Sequence, residues 1–195
     1  SVKFANLAAG VVVGKIGSAT ATFNEIIEYE SSLNKSSSDA HIKTKDEILI
    51  LSKELKHKGK KIVFTNGCFD IIHAGHVGYL SEAKKLGDRL VVAINADDSV
   101  SRLKGAGRPI NPVDRRMAVL DGLEAVDWVV NFEEDTPEAL LKSLQPDILV
   151  KGGDYSLEQV VGGEYVLSYG GEVKALEFLD DCSTSAIVEK MKDSG

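Results

Sequence analysis

Cysteine is scarce in this 195-residue chain. Cys68 and Cys182 are too few for a disulfide framework, and neither stands at metal-type spacing from the four histidines. Reduced, partly buried thiols are the expectation. No apolar run approaches the length of a membrane span, and the amino terminus lacks the charged-then-apolar layout of a leader, which predicts a cytoplasmic protein with no membrane partner. Basic charge is outnumbered: 23 Lys and Arg against 30 Asp and Glu leave a net −7. That balance argues against nucleic acid, which is held by a broad basic field. No Gly-x-Gly-x-x-Gly follows the first predicted strand and no Walker-type lysine loop is present, so dinucleotide oxidation and P-loop hydrolysis are both disfavoured. No internal repeat is evident.

The informative stretch runs from Lys61 to His76. Ile62, Val63 and Phe64 form a short apolar run stopped by Asn66-Gly67, the pattern of a buried parallel strand. A helical pattern begins near Gly75-His76, carries Val77, Leu80, Ala83 and Leu86 on one face, and stops at Gly87. His73 and His76 therefore fall where a strand's carboxyl end meets a helix amino terminus. Such a junction offers backbone N–H groups and a positive dipole end to a phosphate, and Gly75 permits close approach. Two imidazoles add hydrogen-bonding capacity to the same place.

The flanking sequence divides into three parts. Residues 1–30 hold the apolar, small-residue segment Phe4 to Lys15, which has little partner sequence beside it, and the chain opens on Ser1, as a processed or partial chain does. Residues 31–43 are serine-rich and polar, the composition of a linker. Residues 44–195 form the main domain. Thr44 and Glu47 make a capping box ahead of Ile48, Leu51 and Leu55, with Gly59 as the stop. Strands are predicted at 62–64, 89–95, 126–132, 148–150 and 173–178. Residues 96–110 read as a polar loop of functional length. Helices are predicted from Asn111-Pro112, from Asp135-Thr136-Pro137, over 163–169 and over 183–191. Alternating strands and helices imply an α/β fold, a doubly wound five-stranded parallel sheet. Ligands bind such sheets at the strands' carboxyl ends, where the basic residues Lys104, Arg108, Arg115, Arg116 and Lys151 are candidates to meet an anion.

Thr65-Asn66-Gly67-Cys68-Phe69-Asp70, followed by His73-x-Gly75-His76, resembles the cytidylyltransferase-like nucleotidyltransferase superfamily with its Rossmann-like fold. Cys182-Ser183-Thr184-Ser185-Ala186-Ile187 matches that superfamily's motif before the last helix, about a hundred residues on. Arg102 to Gly105, Arg108 to Pro112, Glu124 to Val130 and Lys151 to Tyr155 resemble the adenylyltransferase domain of the bifunctional heptose kinase/adenylyltransferases. Residues 4–15 resemble the closing segment of the ribokinase-like kinase domain that precedes it in those proteins.

The resemblance implies transfer of the adenylyl group of ATP to a heptose 1-phosphate, releasing pyrophosphate and giving ADP-heptose. Charge that builds on phosphoryl oxygens calls for fixed donors and cations rather than a nucleophile. His73, His76, Lys104 and Lys151 are implied as catalytic. Thr65, Asn66, Gly67, Phe69, Gly75, Arg116, Ser183 and Thr184 are implied as nucleotide-binding. Arg115 stands beside Arg116, and only one of two consecutive helical residues faces a given site; motif alignment selects Arg116. Asp70, Asn95, Asp97 and Asp154 are candidates for sugar, ribose or metal contacts, with no metal ligand assigned. Mg²⁺ is expected with ATP, a homodimer is plausible from the resemblance, and the kinase domain is the expected covalent partner. Trp128 is read as packing and Cys68 as scaffold. The arginine that glycerol- and choline-type members carry before the last helix is missing here, where Phe178 to Thr184 stand. That departure weakens a cytidylyl reading. Transfer from CTP or to another small phosphate, and a silent nucleotide-binding module, are the alternatives.

Overall fold

A computed structural model of the chain describes residues 22, 25, 41–153 and 159–176. The chain divides into two compact units, Ser1–His41 and Ile42–Gly195. In the first, Thr22 and Glu25 form a capping-box pair: the Thr22 N–H donates to Glu25 Oε2 at 2.8 Å and the Glu25 N–H to Thr22 Oγ1 at 3.3 Å. The second unit carries the sheet. Asp154, Ser183, Thr184, the predicted terminal helix and most of the residues read as kinase remnant and linker lie outside the described residues.

The second unit runs α1 (Lys45–His57), β1 (Ile62–Gly67), α2 (Ala74–Lys84), β2 (Arg89–Asn95), α3 (Asp97–Lys104), α4 (Val113–Asp121), β3 (Trp128–Phe132), α5 (Glu138–Leu144), β4 (Ile148–Gly152), α6 (Gly163–Ser168) and β5 (Glu172–Leu176). Its sheet has the order β3-β2-β1-β4-β5 with every pairing parallel. The order reverses at β1, and the crevice beside its carboxyl end is where such a sheet holds a ligand. Alternation along the strands sends side chains to two cores. Ile62, Phe64, Val91 and Val130 pack with Ile48 of α1 and Leu140, Leu141 and Leu144 of α5. Val63, Leu90, Val92 and Val129 pack with Tyr79, Leu80 and Ala83 of α2 and Met117 and Leu120 of α4. Helices on both faces make the fold doubly wound.

The capping box of α1 forms, with the Thr44 N–H donating to Glu47 Oε2 at 2.8 Å and the Glu47 N–H to Thr44 Oγ1 at 3.2 Å. Ahead of it, Ile42 bridges to Val129, and the Lys43 N–H donates to the Val129 carbonyl at 2.9 Å. The residues at the end of the predicted linker therefore border the sheet. Residues 97–104, read above as loop, are helical. Val100 is the one fully buried apolar residue in Asp97–Lys104, too thin a stripe for periodicity to reveal. Asn111 does not cap α4: Pro112 takes the N-cap position and Asn111 turns back to Asp70. Trp128 packs against the α1/α5 core.

At the amino ends of the strands, carboxylates hold the chain. The Lys61 N–H donates to Asp88 at 2.8 Å, the Ile62 N–H to Asp147 at 2.7 Å and the Leu90 N–H to Asp127 at 2.7 Å. The catalytically promising residues are all at the other end.

Candidate active site

A cleft of about 500 Å³ opens at the carboxyl ends of β1, β2 and β4. Asn66, Gly67 and Phe69 line one wall, His76 its helical side, and Lys104 and Lys151 bring two ammonium groups. β1 delivers the chain into a sharp turn whose backbone is unusual: Phe69, a bulky residue, has φ +45°. Gly67 makes that possible, since a Cβ there would stand 3.0 Å from the Phe69 ring. The ring then lies 5.2 Å from that of His76.

His73 is the N-cap of α2 and His76 lies in its first turn, so the helix sets their spacing. Their ring centroids are 3.9 Å apart, tilted by 36°. Burial lowers the His76 imidazole to about 4, the neighbouring His73 adding to the effect, and burial likewise lowers His73. Both rings are therefore neutral near pH 7 before an anion arrives, each with one donor and one acceptor nitrogen. Across the cleft, Lys151 Nζ donates to the Asn66 carbonyl at 3.1 Å, and burial lowers its ammonium below the ordinary lysine range. Tyr79 braces the floor. Its hydroxyl donates to the Val150 carbonyl at 3.2 Å and shares a short hydrogen bond with Thr65 Oγ1, tying β1 to β4 through α2.

Several predicted contacts have other occupations here. Thr65 is fully buried, and its hydroxyl shares a hydrogen bond with that of Tyr79. Arg116 is 1% exposed, and its guanidinium donates to the carbonyls of Asn111 at 2.9 Å, Cys68 at 2.6 Å and Asn95 at 2.8 Å, and to Asp97 Oδ1 at 2.7 Å. It ties β1, β2 and α4 together from below. Asp97 is thereby half of an ion pair. Asn95 reaches the cleft wall, but its amide N–H donates to Ser99 Oγ at 3.0 Å. Asp70, 4% exposed, accepts from the N–H groups of Ile110 and Asn111 and from Arg108. Apart from Asn95–Ser99 and Arg116–Asn111, these partners lie 14 to 48 positions away, which no local motif announces. Cys68 borders the cleft, where burial pushes its thiol up against the pull of Lys104, Arg116, Lys151 and Arg108. It is not an activated thiolate.

The sequence reading missed Thr136, Pro137, Gln159 and Val161, which close the far side of the cleft. Thr136-Pro137 was detectable: it follows β3 after Glu133, Glu134 and Asp135, and the carboxyl ends of parallel strands face the ligand. Arg102 fixes that segment, donating to Asp135 Oδ1 at 2.8 Å and to the Glu133 carbonyl at 3.0 Å.

Residues 64–190 match a protein-family model described as cytidylyltransferase-like. The chain belongs to the cytidylyltransferase-like family. Among curated proteins it is 61% identical over 195 residues to the bifunctional protein HldE of Hahella chejuensis, covering 98% of this chain and 40% of that protein. It is 55% identical to the HldE of Pseudomonas aeruginosa strain PAO1, covering 100% of this chain and 41% of that one. This cytidylyltransferase-like chain thus spans about two fifths of the length of these relatives. Among solved structures it is similar to the lipopolysaccharide core biosynthesis protein of Thermoplasma volcanium, with 30% identity, a TM-score of 0.53 and coverage of 64% of this chain and 100% of that one. Pantoate-β-alanine ligase from Francisella tularensis shares the fold alone, at 15% identity, a TM-score of 0.53 and coverage of 77% of this chain and 76% of that one.

Proposed function

We propose that this chain transfers the adenylyl group of ATP to D-glycero-β-D-manno-heptose 1-phosphate, giving ADP-heptose and pyrophosphate. The observation that carries the reading is the meeting of His76 with Lys104 and Lys151 about one cleft at the carboxyl edge of β1, with the His73 ring 3.9 Å from that of His76. A bond forms between a sugar-phosphate oxygen and the α-phosphorus, and the bond to the pyrophosphate oxygen breaks. Negative charge grows on the phosphoryl and leaving oxygens, so fixed donors lower the barrier without a covalent intermediate. The two imidazoles donate to these oxygens beside the positive end of α2. Lys104 and Lys151 balance the charge on the released pyrophosphate. Asn66, Gly67 and Phe69 form the wall against which the nucleotide packs, and Gly75 lets a phosphate approach the first turn of α2. Ser183, Thr184 and Asp154 complete the nucleotide and sugar contacts in this reading, by the motif they belong to.

Mg²⁺ accompanying ATP would take its oxygen ligands mainly from the phosphates. Asp70 and Asp97 are committed to Arg108 and Arg116, and the described residues contain no acidic or histidine cluster of metal-holding type. Its contribution is to neutralise phosphate charge.

The choice of heptose rests on the HldE likeness and on the similarity to a lipopolysaccharide core biosynthesis protein. Residues 1–30 are the end of a ribokinase-like kinase domain and residues 31–43 a linker in this reading, which the two-fifths coverage of bifunctional relatives supports. The enzyme works in the cytoplasm, where ATP is; no described helix is long and apolar enough to cross a membrane. Homodimerisation belongs to the same proposal, with equilibrium sedimentation as its test.

The deciding experiment is pyrophosphate release with ATP and heptose 1-phosphate, with ADP-heptose identified by mass. CTP and a panel of sugar and alcohol phosphates are run in parallel. Turnover confined to CTP, or to another acceptor, replaces the proposed reaction with a different nucleotidyl transfer, and no turnover with any pair removes it.

A further inference from the structure

Asp70 holds a strap rather than a substrate. Residues 105–112 connect the end of α3 to α4, with Arg108 lining the cleft, and two of them, Gly105 and Gly107, have φ of +91° and +85°. A Cβ at either glycine would meet nothing within 4 Å, so the strap is not shaped by packing at these points. Glycines in open space leave a backbone with many accessible conformations, and something else must select one. At one end Ser101 Oγ donates to the Arg108 carbonyl at 2.6 Å. At the other, one carboxylate gathers the chain: the Ile110 N–H donates to Asp70 Oδ1 at 2.8 Å, the Asn111 N–H to the same oxygen at 2.9 Å, and Arg108 Nε to Oδ2 at 2.6 Å. Asn111 Nδ2 closes the ring by donating to the Asp70 carbonyl at 2.8 Å. The donors crowd both carboxylate oxygens.

We propose that Asp70 is a positioning residue, which fixes the 105–112 strap and through it sets Lys104 at the cleft. The inference rests on the adenylyl-transfer reading for its kinetic consequence alone. A carboxylate already saturated by Arg108 and two backbone N–H groups has little capacity left for sugar hydroxyls or a metal. It also takes Arg108 out of the cations offered to the triphosphate. The charge facing the phosphates then comes from Lys104 and Lys151, and Lys104 stands at the junction of α3 with the strap.

The test is Asp70→Asn, read three ways in the full chain. Amide hydrogen exchange at Ile110 and Asn111 is expected to accelerate at least about tenfold, as donors lose a charged acceptor. Tryptic cleavage after Lys104 is expected to quicken. For transfer from ATP, kcat/KM is expected to fall by about a hundredfold, the scale of a misplaced catalytic group. The decisive measurement is the double variant with Lys104→Ala. If Asp70 acts through the strap, Asp70→Asn/Lys104→Ala is no slower than Lys104→Ala by more than about threefold, because the two share one effect. Multiplying losses, or unchanged exchange at Ile110 and Asn111, overturns the proposal. Should Asp70→Asn not fold, Asn111→Ala, which keeps the carboxylate and removes one bond of the ring, is read by the same exchange, proteolysis and double-variant criteria. Exchange and proteolysis need no turnover, so failure of the adenylyl-transfer reading shows in the wild-type assay and failure of the clamp shows here.

Discussion

His73 and His76 stand with ring centroids 3.9 Å apart at the first turn of α2, and the Phe69 ring lies 5.2 Å from that of His76. Two imidazoles this close cannot both charge cheaply, yet both gain from a polyanion. The pair is thus held neutral near pH 7.

Removing either ring takes away a preorganised donor. His73→Ala and His76→Ala are each expected to lower kcat for adenylyl transfer by about a hundred- to a thousandfold. Far-ultraviolet circular dichroism and the melting temperature check that the fold survives. Turnover within a few-fold of wild type in either variant contradicts the assignment.

The same pair makes stability depend on pH. His76 titrates at about 4 in the folded chain against an ordinary 6.5, so between these values the unfolded chain binds more protons. Stability is therefore complete above 6.5 and is lost as pH falls toward 4. The full shift, discounted for partial solvent access, corresponds to about 2 kcal/mol. Thermal melts from pH 4.5 to 7 should show a shallower decline for His76→Gln than for wild type. Parallel curves would contradict the burial of this ring as a charge-excluding site.

Arg115 and Arg116 are neighbours in sequence with opposite situations. Arg116→Ala leaves three carbonyls and Asp97 without their donor, and is expected to cost about 3–5 kcal/mol by chemical denaturation. Arg115→Ala, at an exposed position, is expected to change stability by less than about 0.5 kcal/mol. A stable Arg116→Ala with a selective rise in KM for ATP would instead restore its direct nucleotide role.

Tyr79 joins two strands through one hydroxyl. Tyr79→Phe keeps the ring and strands the Thr65 hydroxyl and the Val150 carbonyl, a loss of about 1–3 kcal/mol. Urea unfolding should show the midpoint moving with the slope unchanged. Lys151 follows Val150 on β4, so turnover is expected to fall with it.

The sheet was legible in the sequence because its signals are local. Ile62-Val63-Phe64 before Asn66-Gly67, and Thr44 three residues ahead of Glu47, carry their meaning within one turn of chain. The position of the two histidines followed from the same logic. Helix α3 was not legible, since Ser99 is held there by hydrogen bonds to Asn95 and the Glu134 carbonyl rather than by an apolar stripe. The tasks of Asp70 and Arg116 were hidden for a related reason. An acid and a base near a motif look alike whether they face a ligand or one another, and only folding decides which pairs meet.

The aspartates at the amino ends of the strands have cations beside them, Asp88 pairing with Lys60 and Asp127 with Lys84 and Arg89, whereas Lys104 and Lys151 stand at the cleft. Charge at the amino ends is thereby balanced locally. On a chain with a net charge of −7, two lysines gathered at one cleft are a local feature rather than part of a broad basic field. An anion held by these two lysines would lose that attraction as added salt brings the screening length down to a few ångströms.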